Sequence, residues 1–122
     1  MYSEALLDYF QNPRNPGDLA DPDASAQMEN PVCGDVLRLT LKVDDGRIAE
    51  IRFKAKGCVP AIACGSAITT LARGKTVAEA LKVRPEQLVE LLGGLPEASA
   101  HASVLAVETL SAALKKLRSS ML

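Results

Sequence analysis

Residues 33–58 read CGDVLRLTLKVDDGRIAEIRFKAKGC, a stretch that predicts a β-hairpin with a cysteine at each end. Apolar and polar residues alternate on both sides of Asp44–Gly46, as expected of two half-buried antiparallel strands joined by a turn. A three-residue loop with Gly46 in the left-handed conformation keeps the apolar side chains on one face of the hairpin. The register that follows pairs Leu39 with Ile51, Leu37 with Phe53 and Cys33 with Gly57.

The predicted register brings the two ends of the hairpin together. Cys33 and Cys58, which are distant in sequence, then lie side by side at the open end of the ribbon, and Asp35 follows the first cysteine by two residues. Thiolates and carboxylates both bind metal ions in proteins. The hairpin therefore predicts a metal site at this end.

Length and composition indicate an ordinary globular domain. The 122 residues carry a net charge of −1 and a mildly acidic pI of about 5.8, which indicates neither a nucleic-acid partner nor an anionic membrane surface. No apolar run is long enough to span a bilayer, and the N-terminus lacks the basic and apolar regions of a signal peptide. We therefore expect one domain, residues 1–122, located in the cytoplasm.

Helix signals surround the predicted hairpin. Cap residues, prolines and glycines predict helices at 3–10, at 60–73, from 76, from 85 and at 99–119, with an edge strand near Met28 in the otherwise loop-like segment 18–32. The apolar stripe of the last helix comprises Val104, Val107, Leu110, Leu114 and Leu117. Strands come first and helices later, which predicts the α+β class with helices covering one face of a small antiparallel sheet.

The chain has three cysteines, and an odd number argues against a disulfide framework, so each is considered as a free thiol. Cys58 lies just before a predicted helix, whose N-terminal dipole lowers a thiol pKa and favours the thiolate that binds metal or accepts sulfur. Cys64 lies inside the same helix. It is either a packed core cysteine or an extra thiol that reaches the site as a ligand or as a disulfide partner of Cys58.

Asp35 and His101 complete the candidate ligands. Asp35 is an oxygen ligand, a hydrogen-bond acceptor beside the ligands or a solvated carboxylate at the start of a strand. His101, the only histidine, falls in the first turn of the last helix, where it is either a zinc or iron ligand or a partly exposed side chain. Together with the two cysteines of the hairpin, these residues suit zinc or a weakly held iron–sulfur cluster, and spacing does not choose between them.

Several ordered blocks of sequence carry a family resemblance. They lie at 2–17 (YSEALLDYFQNPRNPG), 31–36 (PVCGDV), 53–66 (FKAKGCVPAIACGS), 74–76 (GKT) and 95–106 (LPEASAHASVLA). In these blocks the chain resembles the U-type iron–sulfur cluster assembly scaffolds, IscU and the N-terminal domain of NifU. The resemblance covers nearly the whole length and implies a three-stranded antiparallel sheet with helices on one side.

The resemblance also implies a function. Members of the family are not enzymes: they hold a nascent [2Fe–2S] cluster, built from iron and from persulfide sulfur that a cysteine desulfurase delivers, and pass it to carrier or apo-proteins, often with chaperone help. By this resemblance Cys33 and Cys58 are thiolate ligands, and His101 is a non-thiolate ligand or its neighbour. Asp35 keeps the cluster exchangeable, because a carboxylate binds iron less durably than a thiolate.

The chain departs from the family pattern at three places. The family's third cysteine directly follows the histidine, and here that position is Ala102. Cys64 stands where relatives usually have a small polar residue, so it is a candidate replacement for the missing thiol. The segment Leu95–Ser99 lacks the lysine of the family's chaperone-binding loop, so a dedicated chaperone is not predicted.

Two alternative functions therefore stay open. One is a zinc-bound sulfur acceptor that relays persulfide from a cysteine desulfurase. The other is a relative that has lost assembly activity and senses redox state through a disulfide between Cys58 and Cys64.

Overall fold

The computed structural model describes residues 2–121, and the side chains among them up to Leu117. The elements in chain order are α1 (Glu4–Gln11), β1 (Ala24–Asn30), β2 (Asp35–Asp44), β3 (Arg47–Lys56), α2 (Val59–Ala72), α3 (Val77–Ala80), α4 (Pro85–Leu91) and α5 (Ala100–Met121), with a short 3₁₀ turn at Glu97–Ser99. The strands form one antiparallel sheet in the order β1-β2-β3. Helices α2 and α5 pack on it, so the predicted α+β class with a three-stranded sheet is confirmed.

The β2–β3 hairpin confirms the predicted strands and corrects their register. Only Asp45 and Gly46 form the loop, both with positive φ, which is the two-residue turn that matches the twist of the strands. The register then shifts by one residue after Lys42 at a β-bulge. The observed pairs are Leu41 with Ile51, Leu39 with Phe53 and Leu37 with Ala55, two residues away from the predicted ones.

The corrected register keeps the predicted faces but changes what lies at the open end. A shift of two residues leaves every apolar side chain on the same side of the sheet. However, Cys33 does not face Gly57, because Val36 pairs with Lys56 and the next residue on β2 is Asp35. The carboxylate, and not the first cysteine, therefore lies beside the junction of β3 and α2.

Cys33 belongs instead to the turn between β1 and β2. The strand β1, predicted as a short edge strand near Met28, runs over seven residues and pairs Asn30 with Asp35. The backbone N–H of Gly34 donates to the carbonyl of Asn30 at 2.7 Å, and that of Val32 donates to the Asn30 side chain at 3.0 Å. These bonds close a tight turn, residues 31–34, with Cys33 exposed at its tip.

The helices begin and end close to the predicted residues. Ser3 caps α1 by accepting the N–H of Leu6 at 3.0 Å, and Thr76 and Glu79 form the predicted capping box of α3. The stripe predicted on α5 is partly wrong, because Val104 is 42% exposed and Leu105 takes its place in the core. No helix among the described residues has the length and apolar character needed to cross a membrane.

Candidate metal centre

Three separate elements bring ligand atoms together at one end of the sheet. Cys33 comes from the β1–β2 turn, Asp35 is the first residue of β2, and His101 lies in the first turn of α5. Their ligand atoms all lie within 4.8 Å of one another. Nε2 of His101 is 3.3 Å from the Cys33 Sγ and 3.4 Å from Asp35 Oδ2. Cys33 and Asp35 thus present sulfur and oxygen close to the nitrogen of His101, which is distant from them in sequence.

Asp35 connects this group to the start of α2. Although it is a carboxylate, it is only 1% exposed. Its Oδ1 accepts the backbone N–H of Cys58 at 3.1 Å, while its Oδ2 lies 3.5 Å from the Cys58 Sγ. The two oxygens therefore have different surroundings, since one is held by the backbone and the other faces Cys58 and His101. Cys58 joins the site through this carboxylate.

The Cys58 thiol has a raised pKa, which contradicts the lowering expected from its place before a helix. Cys58 lies just before α2, as the sequence predicts, and is its N-cap residue. Partial burial is the largest cause of the rise, and the negative charge of Asp35 adds to it; the backbone N–H of Ala61 acts in the opposite direction. A bound cation would change this balance, because it attracts both the thiolate and the carboxylate.

Cys64 lies outside this group. Its side chain is fully buried in the hydrophobic core, and burial raises its pKa to about 12. Six residues of helix correspond to a rise of about 9 Å, beyond the Cα separation of about 7 Å that a disulfide tolerates. The geometry thus argues against a bond between Cys58 and Cys64 and places Cys64 as a packed core cysteine.

Ala102, at the position of the family's third cysteine, also belongs to the core. It is 1% exposed, whereas the preceding His101 side chain is 31% exposed and reaches the ligand group. Ala102 and Cys64 are members of the same buried cluster. The structure therefore gathers four of the five site residues predicted from sequence and leaves Cys64 in the interior.

A cleft beside the ligand group was not predicted. It has a volume of about 320 Å³ and lies between the end of β1 and the first turns of α5, with Met28, Pro31, His101 and Val104 among its lining residues. The spacing of Val104 predicts a core position for it, as part of an apolar helical stripe. Its exposure shows that one turn of α5 after His101 presents an aliphatic side chain outwards.

Comparisons with known proteins identify the family of this chain. The family model described as "NifU-like N terminal domain" matches residues 1–121. The iron–sulfur cluster assembly scaffold protein IscU 1 of Archaeoglobus fulgidus is 46% identical over 114 residues, which cover 93% of this chain and 74% of that protein. The scaffold protein IscU of Haemophilus influenzae is 41% identical, with 93% and 92% of the two chains covered.

A solved structure supports the fold independently. The crystal structure of a nitrogen-fixing NifU-like protein (N-terminal) from Brucella abortus superposes with a TM-score of 0.78 and covers 96% of this chain and 94% of that one. The two sequences are only 20% identical, so this similarity concerns the fold alone.

Proposed function

Since this chain belongs to the family of NifU-like N-terminal domains, we propose that it is an iron–sulfur cluster assembly scaffold. The observation that carries the proposal is the convergence of Cys33, Asp35 and His101, with Cys58 joined to them through the carboxylate. In this proposal the cluster is a cargo that the protein receives and releases.

The donor set fits such a cargo. Cysteine thiolates are the usual ligands of iron–sulfur clusters, and histidine replaces cysteine in some of them. We assign Cys33 and Cys58 as thiolate ligands, His101 as a nitrogen ligand and Asp35 as an oxygen ligand or its immediate neighbour. Cys64 is left out of this set because it lies in the core. The residues are provided by a turn, the start of a strand and the starts of two helices, so several elements contribute to holding the same cargo.

The same residues favour release of the cargo. A carboxylate prefers hard cations and binds iron less durably than a thiolate does. Cys33 is exposed at a turn, so a recipient protein can approach one thiolate ligand directly. A [2Fe–2S] cluster held in this way is expected to be labile, which is the property that a transient scaffold needs.

Partners follow from the chemistry of assembly. We assign ligands to this chain but no catalytic residue, so the sulfur must come from another protein. We propose that this protein is a cysteine desulfurase. The cluster must also leave to carrier or apo-proteins. The lack of a lysine in Leu95–Ser99 gives no support to a dedicated chaperone. The cytoplasmic location stays a prediction.

The direct test is anaerobic reconstitution with ferrous iron and sulfide. We expect visible absorption bands, Mössbauer parameters of a [2Fe–2S] centre and stoichiometric acid-labile sulfide. The double variant Cys33→Ser, Cys58→Ser serves as the control for non-specific iron sulfide. A wild-type protein that stays colourless and binds no sulfide, or a control variant that loads equally well, would overturn the proposal.

The alternative functions have weaker support. The zinc-bound sulfur relay uses the same donor set, but relatives that match over most of the chain are named as cluster scaffolds. The redox-sensing alternative needs a disulfide between Cys58 and Cys64, which the helical separation of these residues opposes. We therefore put neither forward as the function.

A further inference from the structure

The junction between β3 and α2 contains Gly57, and the Asp35 carboxylate occupies the space that a side chain at this position would need. Gly57 has φ of +139°, a conformation that side-chain-bearing residues rarely adopt. A Cβ atom built there would overlap Asp35 Oδ1 and would lie 2.9 Å from its Cγ and 3.0 Å from its Cα. The carboxylate therefore lies in the space that any other residue at this position would fill.

We propose that Gly57 is a positioning residue of the site: by lacking a side chain it lets Asp35 Oδ1 accept the Cys58 N–H, and this bond aims Oδ2 at Cys58 Sγ and His101 Nε2. The role of Gly57 in cargo binding rests on the proposed scaffold function. The effect of Gly57 on the position of Asp35 involves only contacts within this chain and does not depend on a cargo.

The geometry explains why the position of the carboxylate is fixed. Asp35 is the first residue of β2, and its backbone is held by the pairing of Asn30 with Asp35. With the backbone fixed, the carboxyl group can relieve the overlap of a Cβ at position 57 with Oδ1 and Cγ only by rotating away, while the 3.0 Å approach to the Asp35 Cα remains. Rotation would break the 3.1 Å bond from the Cys58 N–H and leave a buried carboxylate without that donor.

Loss of this bond would affect more than one ligand. Oδ2 is 3.5 Å from the Cys58 Sγ and 3.4 Å from His101 Nε2, so the one carboxyl group contacts ligand side chains at the starts of both α2 and α5. Groups that orient ligands without replacing them typically change metal affinity by about 10- to 100-fold when they are removed. We expect an effect of that size when Gly57 is replaced.

The experiment compares Gly57→Ala with Gly74→Ala. Gly74 also has positive φ, +87°, but a Cβ there would meet nothing within 4 Å, so this control carries backbone strain without the overlap. In the metal-free protein, amide hydrogen exchange of Cys58 is followed by NMR. We expect exchange to become at least about tenfold faster in Gly57→Ala, because a bond to a charged acceptor is lost, and to stay unchanged in Gly74→Ala.

The second readout is binding of Co²⁺ alone, followed by its thiolate charge-transfer and d–d bands. We expect about 10- to 100-fold weaker binding by Gly57→Ala and no comparable change in the control. Unchanged Cys58 exchange with wild-type Co²⁺ affinity would overturn the positioning role while leaving the scaffold proposal intact. Failure of the wild type to bind cargo would count against the scaffold proposal, and the exchange measurement would still decide the positioning role.

A double-mutant cycle covers the case in which Gly57→Ala does not fold. In the Asp35→Ala background the carboxyl group is gone, so the same glycine substitution should lower Tm by less than it does in the wild type. Folding of the double variant when the single variant fails would support the proposal. An equal loss of Tm in both backgrounds would overturn it, because the cost would then come from backbone strain and not from the carboxylate.

Discussion

The N-terminal cap of α2 and the buried middle of this helix each hold a cysteine, and the two residues have little else in common. Cys58 caps the helix, is exposed and lies 3.5 Å from the Asp35 carboxylate. Cys64 belongs to the buried hydrophobic cluster and has no exposed surface. Both thiols have raised pKa values, but the buried one is raised much further, to about 12.

The difference shows what turns a cysteine into a ligand in this fold. The start of α2 lies at the end of the sheet where the β1–β2 turn and the start of α5 also arrive, so a side chain there meets groups from other elements. Cys64, in the middle of the helix, lies in the hydrophobic core. Six residues along one helix thus separate a residue that can bind cargo from one that can only pack.

The largest expected difference is in cargo binding. Cys58→Ala removes a thiolate at the centre of the proposed ligand set and should lower reconstituted cluster content more than tenfold, whereas Cys64→Ala should load like the wild type. Iron and acid-labile sulfide per chain measure both. Full loading of Cys58→Ala, or loss of the cluster in Cys64→Ala, would reverse the distinction between the two regions.

Stability should respond in the opposite sense. Cys64→Ser buries a hydroxyl where the sulfur packed among apolar side chains, and we expect it to lower the free energy of unfolding by about 1–3 kcal/mol. Cys58→Ser, at a cap position where serine is well accepted, should change it by less than about 0.5 kcal/mol. Urea unfolding of the metal-free variants checks both. Equal costs at the two positions would contradict the assignment of Cys64 to the core.

Reactivity towards iodoacetamide sharpens the comparison further. Only the thiolate reacts, and a raised pKa moves its formation to higher pH, so alkylation of Cys58 should keep accelerating as pH rises above 9 while native Cys64 stays unmodified. Asp35→Asn removes a negative charge that contributes to the raised pKa of Cys58, so it should speed labelling of Cys58 near pH 8 by a few-fold. Mass spectrometry of peptides measures each site separately.

Slower labelling of Cys58 in Asp35→Asn would show that the carboxylate does not raise the pKa of this thiol. Labelling of Cys64 in the folded protein would show that the middle of α2 is more accessible than its full burial indicates. Labelling of Cys33, which is exposed at its turn, is the internal reference.

The smallest expected effect concerns the lifetime of the cargo. Asp35→Ala should take up cargo less readily, because Cys58 and His101 lose their common contact. A cluster that has been loaded lacks the hard oxygen donor that favours exchange, so it should persist several-fold longer in the presence of a chelator. The decay of visible absorption after addition of the chelator measures this lifetime. Faster decay in Asp35→Ala would mean that the carboxylate mainly holds the site together and does not promote release.

Much of the fold was predictable because local signals agree with the tertiary structure. Alternation defined β2 and β3, capping residues defined α1 and α3, and the α+β order followed from the order of elements. The hairpin register was predicted wrongly, since alternation fixes the faces of a strand but is unchanged by a shift of two residues. The pair Asp45-Gly46, a sequence typical of two-residue turns, was the available signal.

The candidate site was predictable in membership but not in arrangement. Cys33, Asp35, Cys58 and His101 were chosen from residue type and spacing, and the structure brings their side chains together. The sequence could not show that Asp35, and not Cys33, lies beside the β3–α2 junction, because this depends on the bulge in the hairpin. It also could not show the direction of the Cys58 pKa, which depends on burial and on the nearby carboxylate as well as on the helix.

The central claim is that two thiolates, one imidazole and one carboxylate bind a common cluster. X-ray absorption at the iron edge of the reconstituted protein tests it most directly, because sulfur and nitrogen or oxygen neighbours scatter differently. For a [2Fe–2S] cargo with this ligand set we expect an average of about three sulfur neighbours and one nitrogen or oxygen neighbour per iron. An environment of sulfur alone, or one without any thiolate or sulfide, would contradict the account.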